Sequence, residues 1–163
     1  MGGKERRGVF MIKHNPMEEV KYRARLAKGY LDSAIRLFQL NDWRGVVANA
    51  QLAAENAAKA IIAFFREPSW SHDPSLELSE IKSNLPIEYH GLIDELAMIA
   101  HRLAPEHARS THGEPSLGLT PWDIYKEADA RKALDMAKRS IKIMEKLIEI
   151  FLEFIQRKNF LKH

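Results

Sequence analysis

The 163-residue chain has no cysteine, which excludes disulfide staples and thiolate metal sites and gives no sign of an oxidising compartment. No apolar run approaches the roughly 18–20 residues that a bilayer crossing requires. The opening MGGKERRGVF lacks the apolar centre of a secretory signal, and Arg6 stands where an N-myristoylation signal takes serine or threonine. A cytoplasmic chain without membrane contact is the expectation. Also missing are a Gly-rich phosphate loop, a Gly-x-Ser-x-Gly elbow and a His-Glu-x-x-His helix. The seven histidines stand at 14, 72, 90, 101, 107, 112 and 163 with no pair at i, i+4, so no metal or other cofactor is expected.

What is present reads as one helical domain. Apolar residues make up 45% and charged residues 29% of a chain long enough to bury a core. The net charge of +3 is uneven: residues 1–16 carry +3, residues 17–125 carry −4 and residues 126–163 carry +4. Basic ends of this kind fit either a nucleic-acid footprint or a solvated helix surface of mixed charge.

Every long segment has a helical period, and none reads as a strand. Leu26, Tyr30, Ala34, Leu37 and Leu40 place one buried face on a helix over about 16–40. Asn41-Asp42 breaks it and caps the next helix, which opens at Trp43. That helix is rich in alanine, with Val46, Ala50, Ala53, Ala57, Ile61 and Phe64 inward, so a neighbour can approach closely and the helix is expected at the centre. Glu55 and Lys59 sit on it at i and i+4, either as an exposed pair or as part of a site.

Asp73-Pro74 predicts the start of a short helix to about Ser83, and a further helix is expected from about 87 to 103, closed by Pro105. Residues 104–119 read as a loop. TPWD at 120–123 predicts the start of a last helix reaching about Lys158. Ala130, Leu134, Ala137, Ile141, Met144, Ile148, Phe151 and Ile155 form a heptad seam along it. A second stripe of Ile143, Leu147, Ile150 and Phe154 suggests another partner, most simply a second copy. The expected fold is all-α: an up-and-down bundle of four long helices plus a short extra one. It spans 16–158, between a flexible arm at 1–15 and a tail at 159–163.

One stretch serves no evident packing purpose. RLAPEHARSTHGE at 102–114 holds two arginines, two histidines and two glutamates. Together with AQLAAENAAKAII at 50–62 and HDPSLELSEI at 72–81, and ahead of the tyrosine-bearing PWDIYKEADARKALDMAKR, it resembles the HEPN domain family. Those domains are small all-helical bundles, many of them homodimers. Some members are metal-independent ribonucleases with an Arg-x(4–6)-His motif at the dimer cleft. Others partner minimal nucleotidyltransferases in toxin–antitoxin-like pairs, and some are thought to bind nucleotides.

The resemblance implies residue roles. The Arg-x(4–6)-His motif falls on Arg102 and His107, with Pro105 inside it; Arg109 and His112 follow in the same segment. Ribonuclease action would use histidine as acid and base near neutral pH and arginine on the phosphorane. Phosphate or nucleotide binding without chemistry would use Arg109 and His112, with His72 and Lys59 as further candidates. The expected function is a homodimeric module binding nucleotide or RNA phosphate, with a minimal nucleotidyltransferase as partner. The alternatives are an endoribonuclease using Arg102 and His107, or a purely structural, partner-binding bundle.

Overall fold

In a computed structural model, residues 15–162 are described. The seven helices among them are α1 (Pro16–Gln39), α2 (Trp43–Ile62), α3 (Ser75–Lys82), α4 (His90–Leu103), α5 (Glu106–His112), α6 (Pro121–Ile124) and α7 (Glu127–Phe160). The four long helices α1, α2, α4 and α7 form the bundle, with α3 as the short extra helix. No strand occurs among the described residues; Glu114 and Leu119 make an isolated antiparallel bridge. Of the arm expected at 1–15, residues 1–14 lie outside the described part, and Asn15 caps α1 by accepting from the Glu18 N–H at 3.4 Å. Helix α7 continues to Phe160, two residues past the expected end.

The turn between α1 and α2 shows how local chemistry sets the antiparallel hairpin. Asn41 adopts φ 58°, a left-handed geometry that asparagine tolerates. The Asp42 side chain then accepts from the Gly45 N–H at 2.9 Å and caps α2. Gly45 has no room for a side chain, since a Cβ would lie 2.6 Å from Asp42 Oδ2 and 3.0 Å from Leu37 Cδ1.

Helix α2 is the central element, packed by α1, α7, α4 and α5. Its alanines at 50, 53, 54, 57, 58 and 60 are fully buried and let neighbouring backbones come close. Ile61, Ile62, Ile93, Leu96, Met144 and Leu147 fill the remaining space. Each contributes about 1.5–3 kcal/mol relative to exposure.

Three expectations are corrected. Residues 104–119 are not simply a loop: Pro105 ends α4 but stands at the N-cap of α5, because proline is accommodated where a helix begins. The last helix is interrupted. Thr120 donates its N–H to Asp123 at 2.9 Å and starts α6, but Tyr125 and Lys126 are extended, and the Lys126 N–H donates to Asp129 at 2.9 Å to begin α7 afresh. Finally, Ile143 and Leu147 of the second stripe are core residues, because α2 and α4 both pack on α7 and occupy two of its faces. Of that stripe, only Phe154 is exposed.

Candidate phosphate pocket and histidine cluster

The break at Pro105 gives the polar segment two outlooks. Along α5, His107 and Arg109 are two residues apart and so point to opposite sides of the helix. One side meets α2; the other lines a cavity against α6 and α7.

The α2 side is built on three polar residues at i, i+4 and i+8 of a helix otherwise lined with alanine. Gln51, Glu55 and Lys59 are 1%, 6% and 3% exposed. Lys59 Nζ donates to Glu55 Oε1 at 2.9 Å, and Gln51 Nε2 donates to Glu55 Oε2 at 2.8 Å. Burial pushes the Glu55 carboxyl up, but these hydrogen bonds and the nearby Lys59 and His72 charges outweigh it and hold the group below its ordinary value.

Two imidazoles close over this column. His107 Nδ1 lies 3.0 Å from Gln51 Oε1, and His72 Nδ1 lies 3.3 and 3.4 Å from the Glu55 oxygens. The rings stack with centroids 3.6 Å apart and planes 18° apart. The hydrogen-bond inventory orients them. A carboxylate only accepts, so the Gln51 amide turns its nitrogen to Glu55 and its oxygen to His107, which must donate from Nδ1. By the same reasoning His72 donates from Nδ1 to Glu55. In their neutral forms both rings therefore keep the free lone pair on Nε2. Burial and the His72 charge hold the His107 imidazole below its ordinary pKa, Glu55 opposing.

The other side of α5 is a cavity of about 450 Å³. Val47, Leu103, Ile124 and Met136 supply apolar walls, and Arg102, Lys132, Glu106 and Asp129 line it with charge. Arg109 also faces it, but its guanidinium is already engaged: it donates to Glu106 Oε1 at 2.8 Å and to Glu114 Oε1 at 2.9 Å, and lies 5.8 Å from the Tyr125 ring centroid. The buried Tyr125 hydroxyl donates to Glu106; burial first, and that carboxylate second, push the phenol well above its ordinary pKa. The side chains of Arg102 and Lys132 have no hydrogen-bond or ion-pair partner among the described residues.

The residues singled out from sequence are thus divided. His107, His72 and Lys59 come together on Glu55. Arg102 and Arg109 line the cavity, which His107 does not. His112 is exposed at the end of α5, with no side-chain partner among the described residues. Gln51 was missed, although its place four residues before Glu55 on an alanine-lined face was a usable signal. So was the grouping of Glu55, His72 and His107, whose candidate ligand atoms all lie within 4.8 Å of one another. It joins three separate segments, which a search for i, i+4 pairs does not detect.

The described residues form an all-helical bundle in which a buried Gln-Glu-Lys column lies under two histidines. The HEPN domain model matches residues 20–155, and the chain belongs to that family. Among solved structures it is similar to TT1696 from Thermus thermophilus, at 19% identity and a TM-score of 0.60, over 78% of this chain and 97% of that one. That likeness concerns the fold alone. A sequence search of curated proteins gives no match. No described helix is long and apolar enough to cross a membrane.

Proposed function

We propose that this HEPN module binds the phosphate of a nucleotide or of RNA in the cavity between α4, α5 and α7. The observation that carries the reading is the pair Arg102 and Lys132. They are two cations from different helices that line one concavity without a carboxylate partner among the described residues. A guanidinium grips phosphate oxygens bidentately, and an ammonium adds a point charge. The volume is within the roughly 300–1,000 Å³ range of small-ligand sites, and Ile124 and Met136 offer apolar surface for a base. Arg109, with its fork on two carboxylates, shapes the wall beneath Glu106 and Tyr125 and is not the phosphate ligand. Arg102 is assigned to this cavity rather than to a joint site with His107.

Homodimerisation is part of the proposal, supported by the exposed apolar residues Phe154, Ile155 and Phe160 near the end of α7. A minimal nucleotidyltransferase partner follows from the family resemblance alone; co-expression with such a protein and size-exclusion chromatography tests it. The pocket is tested by calorimetric titration with ATP, AMP and a short single-stranded RNA. Arg102→Ala and Lys132→Ala are each expected to weaken binding about tenfold, the scale of one charge-assisted hydrogen bond. Absence of binding by the wild type would leave a structural, partner-binding bundle as the better reading.

A further inference from the structure

We infer that Glu55, His72 and His107, with the Gln51 amide oxygen as a fourth donor, form a binding site for one divalent transition-metal ion of the zinc class. The donor set is two imidazoles, a carboxylate and an amide oxygen. Imidazole and carboxylate are ligands that zinc accepts, and two histidines with one glutamate recur in zinc sites. Each of the three residues offers an atom, and those atoms lie within 4.8 Å of one another. A tetrahedral ion with bonds of about 2.0–2.1 Å needs ligand atoms some 3.3–3.5 Å apart. The required contraction is therefore at most about 1.5 Å, and the half-exposed His72 ring can supply it. The two rings, stacked in the structure, splay apart as they turn their nitrogens onto the ion.

The surroundings are those of a supported site. Glu55 is oriented by two donors, Gln51 and Lys59, as outer partners orient a metal-binding carboxylate. Gln51 Oε1, at 3.0 Å from His107 Nδ1, lies on the side from which that nitrogen would ligate. On binding, each coordinating nitrogen gives up the proton it now donates, and the other nitrogen of the same neutral ring takes one up from solvent, so no net charge is lost from the imidazoles. Glu55 Oε2, the oxygen not bonded to Lys59, is the nearer to His72.

Lys59 is the opposing group. Its ammonium lies 2.9 Å from Glu55 Oε1 and already neutralises the carboxylate. A divalent ion competes with that charge, which makes the affinity moderate and provides a diagnostic: removing the ammonium strengthens binding. None of the four donors lines the phosphate cavity, so the two sites fail or succeed separately.

The experiment is calorimetric titration of the tag-free protein with zinc chloride, with cobalt(II) absorption as a second readout. One equivalent is expected to bind, with a tetrahedral cobalt(II) band in the visible. His72→Ala and His107→Ala each weaken zinc binding at least tenfold; His72 is half-exposed, so its variant retains the fold. Lys59→Met, with folding checked by circular dichroism, binds more tightly than the wild type. His101→Ala leaves binding unchanged, although His101 pairs with Asp73 at 2.7 Å on the surface. Failure of the wild type to bind one equivalent, unchanged affinity in both His72→Ala and His107→Ala, or loss confined to His101→Ala overturns the site.

Discussion

The Gln51 amide and the His107 imidazole are joined by a 3.0 Å hydrogen bond across 56 positions of sequence. That bond fastens α5 to the middle of α2 and, through the Gln51 amide, links the His107 imidazole to the buried Glu55 carboxylate. Helix α2 carries four buried polar residues, Gln51, Glu55, Asn56 and Lys59, and no buried side-chain polar atom among the described residues is left without a partner.

Breaking that column from one end should be costly. Lys59→Ala removes the one ammonium paired with the Glu55 carboxylate, which is 6% exposed, and loss of one partner of a buried ion pair typically costs about 3–5 kcal/mol. Urea denaturation should show that loss for Lys59→Ala. The double variant Glu55→Ala/Lys59→Ala should be less destabilised than the two single losses added together.

Tyr125 gives an alkaline signature. Its phenol has a raised pKa in the folded state, so the stability it contributes is fully present below the unfolded-state value near 10 and is lost as pH rises through the folded value. Tyr125→Phe removes a hydrogen bond to a charged acceptor and should lose about 1.5–3 kcal/mol near neutrality. Its stability should also fall less steeply above pH 10 than that of the wild type. Chemical denaturation at a series of pH values checks both points.

Gly113 is the position at which a methyl group should do most harm. Its φ is 71°, and a Cβ would lie 2.2 Å from the Leu119 carbonyl oxygen, which accepts from the Glu114 N–H across the turn. Gly113→Ala should lower the thermal midpoint by several degrees, whereas Gly118→Ala, which meets no neighbour within 4 Å but shares a positive φ, should lower it less. Differential scanning calorimetry of the two variants makes the comparison.

Two residues of the apolar stripe on α7 should separate folding from association. Ile143 is 1% exposed, and Ile143→Asn should unfold the bundle or nearly so, because it buries an unpaired amide. Phe154 is 46% exposed, and Phe154→Glu should leave the circular dichroism unchanged while shifting the mass by light scattering to that of a monomer. An unchanged mass places any dimer interface elsewhere.

The bundle was legible because helical burial has a period that sequence displays directly. The inward residues at 46, 50, 53, 57 and 61 are all fully buried in α2, whereas Phe64 lies past the helix end and is half-buried. Asp42 caps α2 as expected, while the Thr120 hydroxyl donates to Asp123 instead of capping. What lay beyond reading was whatever depends on packing between distant segments. A second apolar stripe looks the same whether it meets another copy or two helices of its own chain, and only the position of α4 shows that Ile143 and Leu147 are internal. Pro105 announced the end of a helix, but not that another would begin at once. The candidate site was half legible: His107, His72 and Lys59 do share a cluster, while Arg102 and Arg109 belong to the far side of α5, a partition decided by helix rotation after the proline.

The proline break has a consequence for how this segment can change. Had α4 run on through His107, one rigid rod would have carried both the arginine and the imidazole, and any shift of one would have dragged the other. Instead Pro105 separates them, with His107 on α5 bonded to Gln51 of α2 and Arg102 on α4 lining the cavity on the other side. Substitutions at Arg102 can therefore alter the basic hollow without touching a residue that contacts the histidines, and substitutions at His72 or His107 leave the lining of the hollow unchanged.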